Sequence, residues 1–457
     1  MKCVRLGVDV GRCTTVAVLV RSDGTIADHA VVATRAAYAN SLDAVLSRLP
    51  RPLLGSVAAV GVTTAELSAR PTGLAGVAAL RISPPCHPAL APLAGWPEAL
   101  AAAVGSVVAI VDGGASLTGL HLEPLARDDV ARFAARAAEQ GVTAFAVTAA
   151  GAVTRPEIEA AAAEIIVETV PGARISLSRD IGRIGLRERE NATVVNAALR
   201  DEATRVVDET RRSLAAVGVA APLFFGRDTG GRVSAEYFRR FPVIASDSTT
   251  AAVLRGAARY AAAQRAVVLD MAAEHVRCGT VDDSEITVRD SRSGPGGIRL
   301  GVDAPEIETL SFDSRGGSAA AVPAELLRQA REDIGRLVAR VRERTPGAPV
   351  IAAGGAAWML PETTLEPWQQ QTAAAYEAAA SDIAAEVAQV AVAGGRTELE
   401  RVVESVSGRA LAAVIAAGAK PVSARIGSVA HAPVSYLPGG VHRIRVRAVG
   451  TAGEEAE

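Results

Sequence analysis

Apolar and polar positions alternate from the first residues of the chain. Val8 and Val10 flank Asp9, a glycine turn follows at Gly11, and an apolar run over residues 16–20 completes a predicted hairpin. Residues 41–49 carry a short helical pattern. Residues 57–62 read as a buried strand with Thr63-Thr64 at its end, and residues 76–82 as another strand. Five prolines between residues 84 and 97 predict a rigid surface loop. A strand over 107–111 ends in Asp112-Gly113-Gly114. A helix over 127–140 places Val130, Phe133, Ala134 and Ala137 on one face and stops at Gly141. A strand at 144–148, a helix at 155–167 and a connector at 179–187 lead into a long helix over 192–217. The second half predicts a short strand at 223–225, a helix at 249–264 and a very apolar strand at 266–271. Hairpins over 278–302, an amphipathic helix over 323–344 and a strand at 349–353 follow, the last running into Gly354-Gly355. Residues 373–392 and 396–417 read as two more helices. At 441–449, Ile444, Val446 and Ala448 face one way and Arg443, Arg445 and Arg447 the other, a half-exposed strand with its arginines on a solvated face. Residues 451–457 read as disordered.

Strands and helices that alternate at this spacing indicate parallel sheet units. The 457 residues allow two to four domains. Hydrophobic residues make up 49% but aromatics only 3%, so alanine and valine dominate and the cores are expected to pack through small side chains. A net charge of −2 gives no electrostatic case for nucleic acid or for an anionic membrane. Cys3, Cys13, Cys86 and Cys278 are far apart and form no CxxC pair, which suits a reduced, cytoplasmic protein. The start enters a strand directly and lacks the apolar core of a signal peptide. No uninterrupted apolar run of about 18 residues predicts a membrane span.

Candidate chemistry gathers at three turns. Two apolar strands end in an aspartate, Asp9 and Asp270, and a third strand ends in Gly354-Gly355. Thr63 and Thr64 also lie at a strand end, where ligands bind in α/β sheets. Gly11, Thr14 and Thr15 could offer a turn to phosphate, and Arg12 could bind an anion there. Glu274-His275 reads as a solvent-exposed turn. Cys86-His87 is a poor nucleophile–base pair, because adjacent side chains point apart on an extended chain.

With those turns placed, the chain resembles the hydantoinase A / 5-oxoprolinase family, in its shorter form, from about residue 4 to residue 450. The likeness is carried by RLGVDVG at the start, Gly61-Val62-Thr63-Thr64, Gly95-Trp96-Pro97, Asp112-Gly113-Gly114 and Ser435-Tyr436-Leu437-Pro438-Gly439 before IRVRAVG. Its most specific piece is IGLRERENATVVNAAL at residues 184–199. The resemblance implies an α/β, actin-like ATPase (ribonuclease-H-like) fold with two duplicated lobes around a central cleft. It implies an N-terminal lobe over 1–180, a second lobe over 181–395 and a C-terminal helix and strand over 396–457. It further implies ATP-assisted hydrolysis of a cyclic amide such as a hydantoin or 5-oxoproline, with a second hydantoinase-type subunit or a homo-oligomer as partner. By the same resemblance Asp9 and Asp270 would hold magnesium and be catalytic. Gly11, Thr14, Thr15, Thr63, Thr64, Gly316, Gly317, Gly354 and Gly355 would bind ATP.

This sequence departs from the family where the chemistry lies. Both phosphate turns in the family read Asp-x-Gly-Gly-Thr-x-Thr-Asp. Here the first is Asp9-Val10-Gly11-Arg12-Cys13-Thr14-Thr15-Val16, and the second is Asp270-Met271-Ala272-Ala273-Glu274-His275-Val276-Arg277. A non-catalytic relative that keeps the fold is therefore the alternative to an enzyme.

Overall fold

The structure, a computed structural model, describes residues 4–67, 74–272, 274–312, 323–360, 364–435, 437 and 440–452. The opening alternation folds as expected. Strand Val4–Val10 pairs antiparallel with Thr14–Arg21, which pairs antiparallel with Ile26–Ala33. On its other edge Val4–Val10 runs parallel to Val57–Thr64. Leu6, Val8 and Val10 are buried in one cluster with Leu42, Val45 and Leu46 of helix Tyr38–Leu46 and with Val206 and Leu214 of the long helix Leu186–Ala216. On the neighbouring strand Val16, Val18 and Val20 pack instead on Ala375, Tyr376 and Ala379 of helix Pro367–Ala380. The sheet is thus covered on both faces, as the nearly unbroken apolar text of its strands requires.

Distant segments widen this sheet to nine strands. Beyond Val57–Thr64 come, in order, Leu223–Gly226, Arg232–Ser234, Ile383–Val392, Val441–Gly450 and Arg425–Pro433. Each of the segments 1–180, 181–395 and 396–457 therefore contributes strands to one sheet. The strand Ile383–Val392 corrects the helix expected over 373–392. The helix stops at Ala380, Ser381 and Asp382 break it, and the text beyond pairs over ten residues with Val441–Gly450. Ala384, Ala385, Ala388 and Ala391 are compatible with either period, which hides the switch.

A second sheet repeats the first in miniature. Ala266–Met271 pairs antiparallel with His275–Asp282, which pairs antiparallel with Ile307–Ser311, and Ala266–Met271 runs parallel to Val350–Ala353. Order and direction match those of the first four strands, so the two lobes are a duplication. Period-two alternation sets its two cores. Val268 packs with Ala251, Leu254 and Ala258 of helix Ser248–Tyr260, whereas Val267, Leu269 and Met271 pack with Ile334, Leu337 and Val341 of helix Ala324–Arg342.

A third sheet is all parallel, in the order Arg174–Leu177, Ala144–Ala149, Ala78–Ile82, Val107–Val111. The motif at 184–199 ties it to the long helix. Arg189 is buried and donates to Ser178 Oγ at 2.8 Å, to the Ala149 carbonyl at 2.7 Å, and to the carbonyls of Arg183 and Ile184. Glu190 pairs with the buried Arg81. Helix Pro367–Ala380 joins the two lobes by close backbone approach. A Cβ on Gly7 would lie 1.8 Å from the Ala375 carbonyl oxygen, and one on Gly61 would lie 1.8 Å from that of Ala378. The alanine-rich composition serves this contact.

The arginine row is not a solvated face. Arg445 pairs with Glu386 and Asp303, Arg443 with Asp290, and Arg447 with Glu285, so the row anchors the sheet to the hairpins beside it. Among the described residues, no helix is long and apolar enough to cross a membrane.

Candidate functional site

The duplication places two equivalent turns opposite each other. In the first hairpin the Gly11 N–H donates to the Thr14 carbonyl at 3.0 Å, and in the second the Ala272 N–H donates to the His275 carbonyl at 2.9 Å. Each turn begins two residues after its aspartate. Asp9 and Asp270 are 8% and 9% exposed, so both are deep in the fold yet still open to the space between the lobes. Burial pushes each carboxyl up to about 6. The two carboxylates border one cavity, and the negative charge of Asp270 adds to the rise at Asp9.

Hydroxyls hold the carboxylates in place. Asp9 Oδ1 accepts from Thr63 Oγ1 at 2.7 Å and from Thr249 Oγ1 at 3.0 Å. Parallel register explains the first contact, since Thr63 is the partner of Asp9 on the neighbouring strand. The second comes from the start of helix Ser248–Tyr260, whose next residue, Thr250, bonds Asp270. One helix N-terminus therefore reaches both carboxylates, with its positive dipole end toward them. Thr249 and Thr250 end the text Ser246-Asp247-Ser248-Thr249-Thr250, which stands where the resembled family has a Ser-Gly-Pro loop, but they were not singled out as site residues. Their place at the first turn of the helix expected over 249–264 is a further signal.

Arg277 was also missed. It stands opposite Asp270 across the antiparallel pair, the position that Val16 holds opposite Asp9. Its Nη1 lies 3.8 Å from Asp270 Oδ2 and donates to Thr250 Oγ1 at 2.6 Å. His275 is lowered from its usual value, first by burial and then by Arg277 and Arg12, so these three groups face the same region.

Between the turns lies a cavity of about 1290 Å³. It is lined by Asp9, Gly11, Arg12, Thr14, Asp270, Glu274, His275, Arg277, Gly354 and Gly355 among others. The cleft is open, as a duplicated-lobe fold with a ligand between its lobes requires. Glu274 is exposed, as its turn reading expects, but both it and His275 border the cavity. Gly354 has φ +94°, and a Cβ there would lie 2.5 Å from the Met271 carbonyl oxygen. The third turn is thus packed against the end of strand Ala266–Met271, while Gly355 faces open space. Leu326 and Trp358 form an apolar wall beside it and are 58% and 42% exposed. Thr15 and Thr64 point elsewhere: Thr15 is fully buried against Thr34 Oγ1, and Thr64 Oγ1 accepts from the Glu66 N–H. Gly316 and Gly317 lie outside the described residues.

The residues fit the two expected groups differently. An open glycine turn with an apolar wall suits a planar base, and threonine hydroxyls and a helix start suit phosphate oxygens. A divalent cation fits less well: among the described residues no three carboxylate, histidine or cysteine groups converge, so an ion would have only Asp9 and Asp270 beside the phosphates, and the Asp270 carboxylate already faces a guanidinium.

Comparison with known proteins agrees with this architecture. The model of the hydantoinase/oxoprolinase N-terminal region matches residues 5–170, and the hydantoinase/oxoprolinase model matches residues 189–322. No curated protein matches the sequence. Among solved structures, the ATP-dependent caprolactamase from Pseudomonas jessenii aligns with a TM-score of 0.74 at 14% identity, over 98% of this chain and 87% of that one. Nucleotide-free acetone carboxylase aligns with a TM-score of 0.61 at 11% identity, over 100% of this chain and 89% of that one. At such identities the likeness is one of fold. The chain belongs to the hydantoinase/oxoprolinase family and has its actin-like ATPase fold, with two duplicated α/β lobes around a central cleft.

Proposed function

We propose that the chain binds ATP in the cleft and uses it to hydrolyse a cyclic amide of the hydantoin or 5-oxoproline type. The observation that supports this most is convergence. Two carboxylates from duplicated hairpins, the start of helix Ser248–Tyr260 and the Gly354-Gly355 turn border one open cavity. One fold neighbour is named an ATP-dependent caprolactamase, which also suits ring-amide chemistry. Bound ATP would supply a phosphoryl group that activates the amide oxygen. The chain's own part is to seat the base on Gly355 beside Leu326 and Trp358, and to orient the phosphates with Thr14 and the helix start. Asp9 holds Thr63 and Thr249 through Oδ1, which leaves Oδ2 for the cleft. With its carboxyl at about 6, Asp9 is ionised at neutral pH and able to take a proton from water. The test is phosphate release from ATP with and without hydantoin or 5-oxoproline. Ring-dependent release that falls at least about a hundredfold in Asp9→Asn supports the reading. Release that ignores both the ring and Asp9 contradicts it.

One observation favours a second reading, a non-catalytic module that retains the fold. Arg277 and Glu274 stand in the second turn where the family has a carboxylate and a small polar residue, so that turn is built unlike a working phosphate grip. Saturable nucleotide binding without turnover for any ring amide would select it.

A further inference from the structure

Resting on the nucleotide reading, we infer that the cleft grips the phosphate chain without a divalent cation, with the guanidinium groups of Arg277 and Arg12 in its place. The second turn shows how. Asp270 and Arg277 are directly opposed in the strand pair, and Arg277 Nη1 lies 3.8 Å from Asp270 Oδ2. Asp270 thus already has a cation beside it. Thr250 Oγ1, accepting from Nη1 at 2.6 Å, fixes the guanidinium toward the helix start. The Arg277 side chain remains 27% exposed, and it lines the cavity. Arg12 enters from the first turn, fully on the surface of the same cavity. Of the other acidic groups, Asp247 pairs with Arg292, Asp228 accepts from the Asp247 N–H, Asp9 is held by two hydroxyls and Asp333 pairs with Arg336, while Glu274 stands exposed on the cavity wall.

Two guanidiniums carry together the charge of one divalent cation. They therefore balance Asp9 and Asp270 against a phosphate chain as magnesium would, and planar guanidiniums bond phosphate oxygens in pairs. They cannot exchange with chelators. Nucleotide affinity then becomes independent of magnesium and dependent on two side chains.

The experiment is calorimetric titration of the full chain with ATP and with inorganic tripolyphosphate, each in EDTA and in excess magnesium. Arg12→Ala and Arg277→Gln are titrated alongside, with thermal unfolding to show that each variant is folded. Arg12 sits on an exposed turn, so its variant keeps the test valid if Arg277→Gln unfolds. The inference expects both ligands to bind equally well in EDTA and in magnesium, and each variant to lose about tenfold in affinity. ATP binding only in magnesium would overturn the inference and leave the nucleotide reading standing. Tripolyphosphate binding in EDTA with no ATP binding would keep the guanidinium site and overturn the nucleotide reading. Absence of binding by both ligands under all conditions would overturn both.

Discussion

Gly61→Ala tests how the two lobes are joined. A Cβ on Gly61 would sit 1.8 Å from the Ala378 carbonyl oxygen and 2.6 Å from its carbon, both of them backbone. That is roughly 1.5 Å short of ordinary contact, and no flexible side chain can absorb it. Helix Pro367–Ala380 must therefore lift from the sheet. Doing so breaks the bonds from Arg232 Nη1 to the Ala378 carbonyl at 3.2 Å and the Ala379 carbonyl at 3.4 Å, leaving a buried guanidinium short of acceptors. Overpacking costs about 1–3 kcal/mol and the lost charged hydrogen bond about 1.5–3 kcal/mol, so the total is about 2.5–6 kcal/mol. Trp368, at the first turn of this helix, reports on it directly, since its ring lies 5.8 Å from that of Tyr260 in the second lobe and 5.9 Å from that of His29 in the first. Urea unfolding followed by tryptophan fluorescence should show a large fall in midpoint for Gly61→Ala. Gly335→Ala is the control: it lies in helix Ala324–Arg342 with nothing within 4 Å of a new Cβ, and should be neutral or stabilising by up to about 1 kcal/mol. A Gly61→Ala protein with the wild-type midpoint and spectrum would refute the close-approach account.

Two further outcomes follow from buried charges. Burial, with Asp247 nearby, pushes the Asp228 carboxyl up to about 8. The folded chain then keeps a proton that the unfolded chain has lost, so stability falls as pH rises from about 4 to about 8 and is level above that. Asp228→Asn should remove this slope, gaining on the wild type by about 1.4 kcal/mol per pH unit in the window; parallel urea midpoints from pH 5 to 7 would show Asp228 to be ionised instead. Arg189→Met leaves two buried and two half-buried acceptors short of a donor and should cost about 3–5 kcal/mol in thermal unfolding. A loss under 1 kcal/mol would mean that the motif at 184–199 does not anchor the third sheet.

Much of the fold was legible in the sequence because local pattern and final structure agree. The opening hairpin, the strand at 266–271 and the long helix all carry a single clear period. Residues 383–392 misled because alanine satisfies both periods, and their place is decided by a partner strand some sixty residues away in sequence. The same limit hid the nine-stranded sheet, which is assembled from pairings between segments far apart in the chain. At the site, Asp9, Asp270 and Gly354 stand out as strand-end residues. Arg277 does not: its meaning comes from the register that opposes it to Asp270. Likewise Arg443, Arg445 and Arg447 show a polar stripe in sequence, and only the neighbouring hairpins turn that stripe into ion pairs. The strongest sequence motif proves to be architectural, since Arg189 and Glu190 are buried in ion pairs and carbonyl contacts away from the cleft.

The central claim is that an adenine nucleotide lies on the Gly354-Gly355 turn between the lobes. Calorimetric titration of ATP into the wild type and Gly355→Leu tests it most directly, because a side chain at 355 projects into open cleft and leaves the packing intact. The account predicts saturable binding to the wild type, and at least about tenfold weaker binding to a variant with an unchanged unfolding temperature. Equal binding to both proteins, or none to the wild type at millimolar ATP, would contradict it.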